Sequence, residues 1–444
     1  MHGRTAPPLL SPGLDRAALS DSVVRAAGAV VRASGLLLFF MMLFVPTAYQ
    51  PLKGALLGFV LAGIVATALI SGRFPLAPQT AIWTLVFSVL GLAWVLKGLT
   101  AGAPGALMMF NVYVVWPLVY TLLVVGASYP GVLRALTRTV VWSGIAISIY
   151  SIIYVLWAAG LWPHSLYYAL DQGQAIGFHG THIEFALYST TTLLYIVPYL
   201  VGALFVFPRV GAPVGRRTLW VALVLSVITV LLSGRRALLL LVPLAPLLTL
   251  SFRAWLPPVV KWESRRLVRR VAWAALAVAT VLVIAMTAIG GLSPAGFVDM
   301  VASGFRFNSD VVAMSRRDQF LALIAGWLEQ PAFGSGHGAP APGVIRSIEQ
   351  PWSYELTYVA LLYHTGLVGF VAYGLGLAWI LFTCRRIARS GWSESPNLVA
   401  TLVGTASFLL ANATNPYLEK YDSIWVLFMP IAFINVWMTR GGRT

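Results

Sequence analysis

The sequence predicts an all-α, polytopic membrane protein. Three features do so: an apolar composition, apolar windows of membrane length that recur along the chain, and basic residues gathered on one side of the resulting topology. Hydrophobic residues make up 59% of the 444 and charged residues 10%. A soluble globule so composed would present an apolar surface to water, so lipid is the solvent this chain is built for.

A hydrocarbon core about 30 Å thick takes about 20 apolar residues per helix. Twelve such windows, bounded by charge, Gly or Pro, are predicted near 33–48, 54–71, 79–97, 106–127, 138–160, 184–207, 217–233, 237–252, 271–290, 354–382, 396–412 and 423–438. Residues 1–32 contain Asp15, Asp21 and several Arg and lack the apolar core and cleavage site of a signal peptide, so they read as a cytoplasmic arm. A short interfacial helix near 15–32 is the alternative to disorder there. Helices one to nine then fill 33–290, a large outward loop fills 291–353, and 354–444 holds the last three helices and a short cytoplasmic tail.

Lys and Arg are retained on the cytoplasmic side of a bacterial-type membrane. With both termini inside, 21 of the 30 Lys and Arg fall in cytoplasmic segments. The densest run, Arg253, Lys261, Arg265, Arg266, Arg269 and Arg270, separates the eighth and ninth windows. A net charge of +16 invites a nucleic-acid reading, yet the basic residues sit at the ends of apolar spans, which topology explains better. Cys384 is the single cysteine, so no intramolecular disulfide staples the outward loops.

Two of those loops are long. Residues 161–183 carry no Lys or Arg, and 291–353 runs to about sixty residues, a size that is usually functional in a compact protein. Within the second, Phe320, Leu323, Ile324, Trp327 and Leu328 recur at helical spacing and Pro331 terminates them, which predicts an amphipathic helix. The following FGSGHGAPAPG suits an irregular backbone.

The outward Lys and Arg run against the retention rule and so need another cause. Lys53, Lys97 and Lys420 are isolated, whereas Arg235 and Arg236 form one pair and Arg306, Arg316, Arg317 and Arg346 lie in the large loop. Guanidinium groups grip phosphate oxygens bidentately and stay charged, so a phosphorylated lipid is the simplest ligand; pairing with lipid headgroups or with Asp299, Asp310, Asp318 and Glu329 is the alternative. Glu355 opens an apolar span, where an ionisable group is costly, and is either a general base or the ion-pair partner of one of those Arg. His179, His182 and Glu184 in HGTHIE lack the three or four convergent ligands a zinc site needs, and no metal is expected. They read instead as a polar collar or substrate contacts. His337 reads as a substrate contact and His364 as a satisfied core residue. No P-loop, Asp-rich nucleotide motif or dinucleotide fingerprint is present, so no nucleotide or other cofactor is expected.

Three stretches together resemble the O-antigen polymerase and O-antigen ligase superfamily of integral-membrane glycosyltransferases. LLSGRRALLLLVP, Leu231 to Pro243, is similar to the family's Ser-Arg segment, with Arg236 or Arg235 as the arginine facing the extracytoplasmic site. RRDQFLALIAGWLEQPAFGSG, Arg316 to Gly336, resembles the family's loop helix, which opens with an arginine and closes in a Pro-x-x-Gly-x-Gly turn. ELTYVALLYHTGLVG, Glu355 to Gly369, resembles the helix start after the large loop. Ligases open that third segment with a His-Asn pair; Glu355 and Leu356 stand there, which looks more like the polysaccharide polymerases.

The resemblance implies a GT-C-like fold and a metal-independent polymerase in the bacterial inner membrane. It would join polyprenyl-diphosphate-linked repeat units, as donor and acceptor, at the periplasmic face to build O-antigen, capsule or exopolysaccharide. A chain-length regulator and a flippase would be its partners. Arg316, Arg317, Arg236 and Arg235 would bind the diphosphate, Glu355 would act as base, and His337, Tyr354, Trp352, His179, His182, Arg306 and Arg346 would be substrate contacts. Tyr167 and Tyr168 would join Trp352 and Tyr354 as sugar-stacking faces or interfacial anchors. The alternatives are a ligase that transfers glycan to lipid A-core and, in another class, a lipid-linked glycan flippase.

Overall fold

The computed structural model describes residues 12–170, 175–179, 182–207, 212–233, 235–256 and 311–440. In chain order the helices are α1 (Pro12–Phe44), α2 (Gln50–Ser71), α3 (Pro78–Thr100), α4 (Ala106–Phe110), α5 (Trp116–Ala127), α6 (Val132–Ala158), α7 (Leu193–Val206), α8 (Arg216–Leu232), α9 (Arg236–Trp255), α10 (Val311–Glu329), α11 (Thr357–Arg389), α12 (Ser395–Asn412) and α13 (Trp425–Thr439). A π-helical turn, Asn111–Val115, joins α4 to α5 just before Pro117. The local signals are conventional. Pro sits in the first turn of α2 and α3, where its missing N–H costs nothing, and Gly72 ends α2 at φ 64°.

Nine helical stretches among the described residues are long and apolar enough to cross a bilayer, which makes this a multi-pass helical membrane protein. The windows predicted at 217–233 and 396–412 are helices, but they are not among those nine. The window at 271–290 lies outside the described residues.

Two boundaries differ from expectation. Pro12–Phe44 is one uninterrupted helix, and its membrane-length apolar stretch is Val24–Phe44 rather than 33–48. The start of the 184–207 window is not helical either. Ala175–His179 and His182–Ala186 form an antiparallel hairpin in which His179 pairs with His182, and α7 begins only after a 3-10 turn. The fold is therefore helical with one small hairpin. Phe185, buried on that hairpin, ties it to the bundle through its N–H, which donates to Ser233 O at 3.3 Å.

The α7 stretch is the centre of the bundle, with 94% of its most apolar window buried. Small residues let its backbone approach α12 closely: a Cβ on Gly202 would stand 3.3 Å from Ala400 Cα, and one on Gly404 2.9 Å from Tyr195 O. Such approaches are how helices gain van der Waals contact where lipid supplies no hydrophobic drive.

The connections fall at two ends. Residues 45–49, 101–105, 159–170, 175–179, 182–187, 233, 235, 330–356 and 413–424 share one, called here the loop end. Cross-links such as Gly105 N–H to Gly338 O (3.1 Å) and Tyr120 Oη to Tyr421 O (2.9 Å) tie its segments together. The opposite end joins α6 to the α11–α12 and α7–α8 connections, through the Arg134–Glu394 ion pair and a 2.6 Å bond from Arg138 Nε to Pro213 O. The expected topology places its outward loops at the loop end.

Candidate functional site

Residues 331–338 of the large loop are built into the bundle. Helix α11 breaks at Gly366, whose φ of 62° and ψ of −173° leave carbonyls and N–H groups without helical partners. Residues 331–338 supply the partners: Ser335 and Gly336 N–H donate to Tyr363 and His364 O (2.9 and 2.8 Å), and Leu367 and Val368 N–H donate to Pro331 and Ala332 O (2.9 and 3.0 Å). His337 N–H continues to Trp94 O at 2.9 Å. Trp94 Nε1 donates to Phe333 O (2.9 Å), and Lys97 Nζ bonds the Gly334 carbonyl. Gly334, Gly336 and Gly338 all have positive φ, and a Cβ on any of them would overlap neighbouring main chain. The glycines of FGSGHG thus serve close approach of backbone to backbone.

That insertion fixes three expected substrate contacts as structural residues instead. His337 is fully buried and lies on Tyr113, with Nε2 3.5 Å from Tyr373 Oη. Burial, with His364 nearby, holds its imidazole pKa well below the usual value, so it is neutral. Trp352 is buried beneath Gly105, and Tyr354 is buried with its hydroxyl accepting from Ala341 N–H (2.5 Å) and facing Val344 O (3.3 Å). None of these rings offers a face to a sugar; a pattern of residue types does not report depth. His364 is a satisfied core residue as expected, 3.0 Å from Ala339 O.

Helix α10 turns Gln319, Leu323 and Gly326 toward the bundle and leaves Phe320 and Leu328 exposed. The buried stripe is therefore rotated from the expected one, because Gly326 lets α10 rest on the Tyr363 ring. The Gln319 stripe begins with Arg316. Gln319 Oε1 accepts the Glu355 N–H at 2.9 Å, which pins the chain two residues before α11 to α10. Arg316 Nε then lies 2.5 Å from Glu355 Oε2, and Arg346 Nε lies 3.4 Å from Oε1. The carboxylate is 17% exposed, whereas the guanidinium side chains are 40% and 34% exposed, so the arginines form the rim and the acid the floor.

Tyr417, in the 413–424 connection, joins a further arginine to this group. Burial raises its phenol pKa; the charges of Arg235, Arg316 and Arg346 act to lower it, and that of Glu355 to raise it. Two guanidiniums, Arg316 and Arg346, thus flank one carboxylate, and Arg235 lies near enough to Tyr417 to act on its phenol. A second acid stands behind. Glu419 is buried and raised to about 8 by desolvation, against the lowering effects of a hydrogen bond to Ser353 and of Arg346 and Lys420. Glu419, Tyr417 and Gln319 are site residues that sequence reasoning missed; the signals were YLEKYD in a short connection and a Gln three positions after Arg316.

The other expected residues fall as follows. Arg317 is exposed on the neighbouring stripe of α10. Arg236 opens α9 beside Arg235, and His179 and His182 pair across the hairpin; their side chains lie outside the described set, as does all of Arg306. Tyr167 stacks on Trp157 with ring centroids 4.4 Å apart, while Tyr168 is exposed. Among the described residues no three His, Cys, Asp or Glu side chains group closely enough to hold a metal ion. No protein-family model matches the sequence, and no curated protein matches it.

Proposed function

We propose that this chain is a glycan polymerase acting at the extracytoplasmic face of a bacterial inner membrane, on repeat units carried by a polyprenyl diphosphate. The observation that supports it is the convergence of Arg316 and Arg346 on Glu355, beside a Tyr417 whose phenol also feels Arg235. An excess of guanidinium over carboxylate at the end of a membrane bundle fits an anionic, lipid-borne donor.

In this reading the donor diphosphate takes over the guanidinium contacts that Glu355 holds in its absence. The released carboxylate oxygen accepts the proton of the acceptor hydroxyl. The deprotonated hydroxyl oxygen attacks the anomeric carbon, the bond from that carbon to the phosphate oxygen breaks, and the diphosphate departs with the electron pair. Arginines preorganised around the departing charge lower the barrier because they need no rearrangement as it develops. Glu355 at the position where ligases carry His-Asn favours elongation of a repeat-unit chain over transfer to lipid A-core.

The test is purified protein in detergent with a lipid-diphosphate-linked oligosaccharide. Lengthened product with released polyprenyl diphosphate supports the reading. Its absence, or undiminished activity in both Glu355→Gln and Arg316→Ala, rejects it.

A further inference from the structure

The opposite end of the bundle carries a second polar concavity, distant in the fold from Glu355. A cavity of about 450 Å³ opens between α1, the first turns of α6, the 390–394 connection and the end of α13. Arg32, Arg134, Arg138 and Arg440 line it against one carboxylate, Glu394, and Trp392 and Trp437 wall its apolar side. Glu394 is already engaged: one oxygen pairs with Arg134 and the other accepts from Asn397 Nδ2 at 2.5 Å. Arg138 gives its Nε–H to Pro213 O, and Arg440 gives one N–H to Ser128 O at 3.3 Å, each a single donor of the five a guanidinium carries. Trp437 Nε1 is buried with no hydrogen-bond partner among the described residues.

Retention of basic residues on one side of a membrane would set arginines at these helix ends singly. It does not make side chains of α1, α6 and α13 converge on one hollow, where like charges repel unless an anion joins them. Depth indicates which anion. Arg138 lies six residues after Val132, about 9 Å along the α6 axis at 1.5 Å per residue, which is the scale of the interfacial layer flanking the hydrocarbon core. Tryptophan also favours that layer.

We infer that this cavity binds the phosphate-bearing headgroup of an anionic membrane phospholipid, with Arg32, Arg138 and Arg440 as its cationic contacts. Basic pockets between membrane helices hold such headgroups by this chemistry. The site is independent of the donor site at the loop end.

The full-length protein, purified and delipidated, is titrated with phosphatidylglycerol, phosphatidylcholine, glycerol 3-phosphate or inorganic phosphate. Bound lipid is read by native mass spectrometry and stability by thermal unfolding. Wild-type protein is expected to retain phosphatidylglycerol over phosphatidylcholine and to unfold at a higher temperature with it. Arg32→Gln/Arg440→Gln is expected to lose about tenfold or more of that retention, while Arg73→Gln/Arg253→Gln, outside the cavity, keeps it. Equal retention of the two lipids overturns the inference without reference to any variant. So does equal loss in both double variants. Full protection by inorganic phosphate or glycerol 3-phosphate also overturns it, by making this a site for soluble anions.

Discussion

His337 lies flat against Tyr113, with ring centroids 4.1 Å apart and planes 13° apart. The contact joins the inserted loop to the π turn between α4 and α5, and no exposed face of the imidazole remains. His337→Ala is therefore expected to cost about 2–4 kcal/mol of stability through the lost stack and the void it leaves. Thermal unfolding in detergent measures that. Specific activity of the folded fraction should stay near wild type, and a selective loss of turnover in stably folded protein would return His337 to the substrate site.

Glu355 shares its two oxygens between Arg316 and Arg346. Removing the acid's charge should free both guanidiniums for phosphate, so Glu355→Gln is expected to bind a polyprenyl diphosphate about 3- to 10-fold more tightly while losing about 10²-fold or more in elongation. Binding by microscale thermophoresis and product length on gels separate the two effects. Weaker binding in Glu355→Gln would mean that the carboxylate helps to hold the donor.

Glu419 gives a pH dependence whose sign can be worked out. Its folded pKa, about 8, stands above the model-peptide value of 4.5, so the folded protein binds the extra proton between those values. Stability from this group is complete below about pH 4.5, falls as pH rises and is lost above about 8. Glu419→Gln should keep the neutral side chain at every pH. Unfolding temperatures of the two proteins should therefore converge near pH 5 and separate by pH 9, with the variant higher; parallel curves would show that Glu419 does not hold the proton.

Gly366 is held where an L side chain is strained whatever the space, and a Cβ there would strike the Ala332 carbonyl. Gly366→Ala should destabilise by about 3 kcal/mol or more from strain and overlap together. Monodispersity on size exclusion and the unfolding temperature report it. A mild effect would mean that the loop can leave the helix break cheaply.

Much of this was legible in the sequence because membranes make charge conspicuous. Arg316, Arg346 and Glu355 could be singled out since each is costly or misplaced in an outward apolar setting, and the structure brings those three together. Depth was not legible. His337, Trp352 and Tyr354 have the chemistry of sugar-binding residues, and nothing in PAFGSGHG distinguishes a surface loop from main chain threaded into a helix break. The hairpin was missed because HIEFA abuts an apolar run and merges with it at helical window lengths. Glu419 was overlooked because a carboxylate in a short connection gives no sign in the sequence of the burial that governs its proton.

The splice of residues 331–338 into α11 limits how the protein can move. Lifting that segment would strand the main-chain groups of Tyr363, His364, Leu367 and Val368 away from water, at about 1–3 kcal/mol for each unpaired group. The stretch cannot work as a hinged gate. It acts as a rivet, so any opening at this end of the bundle has to come from motion of the neighbouring connections.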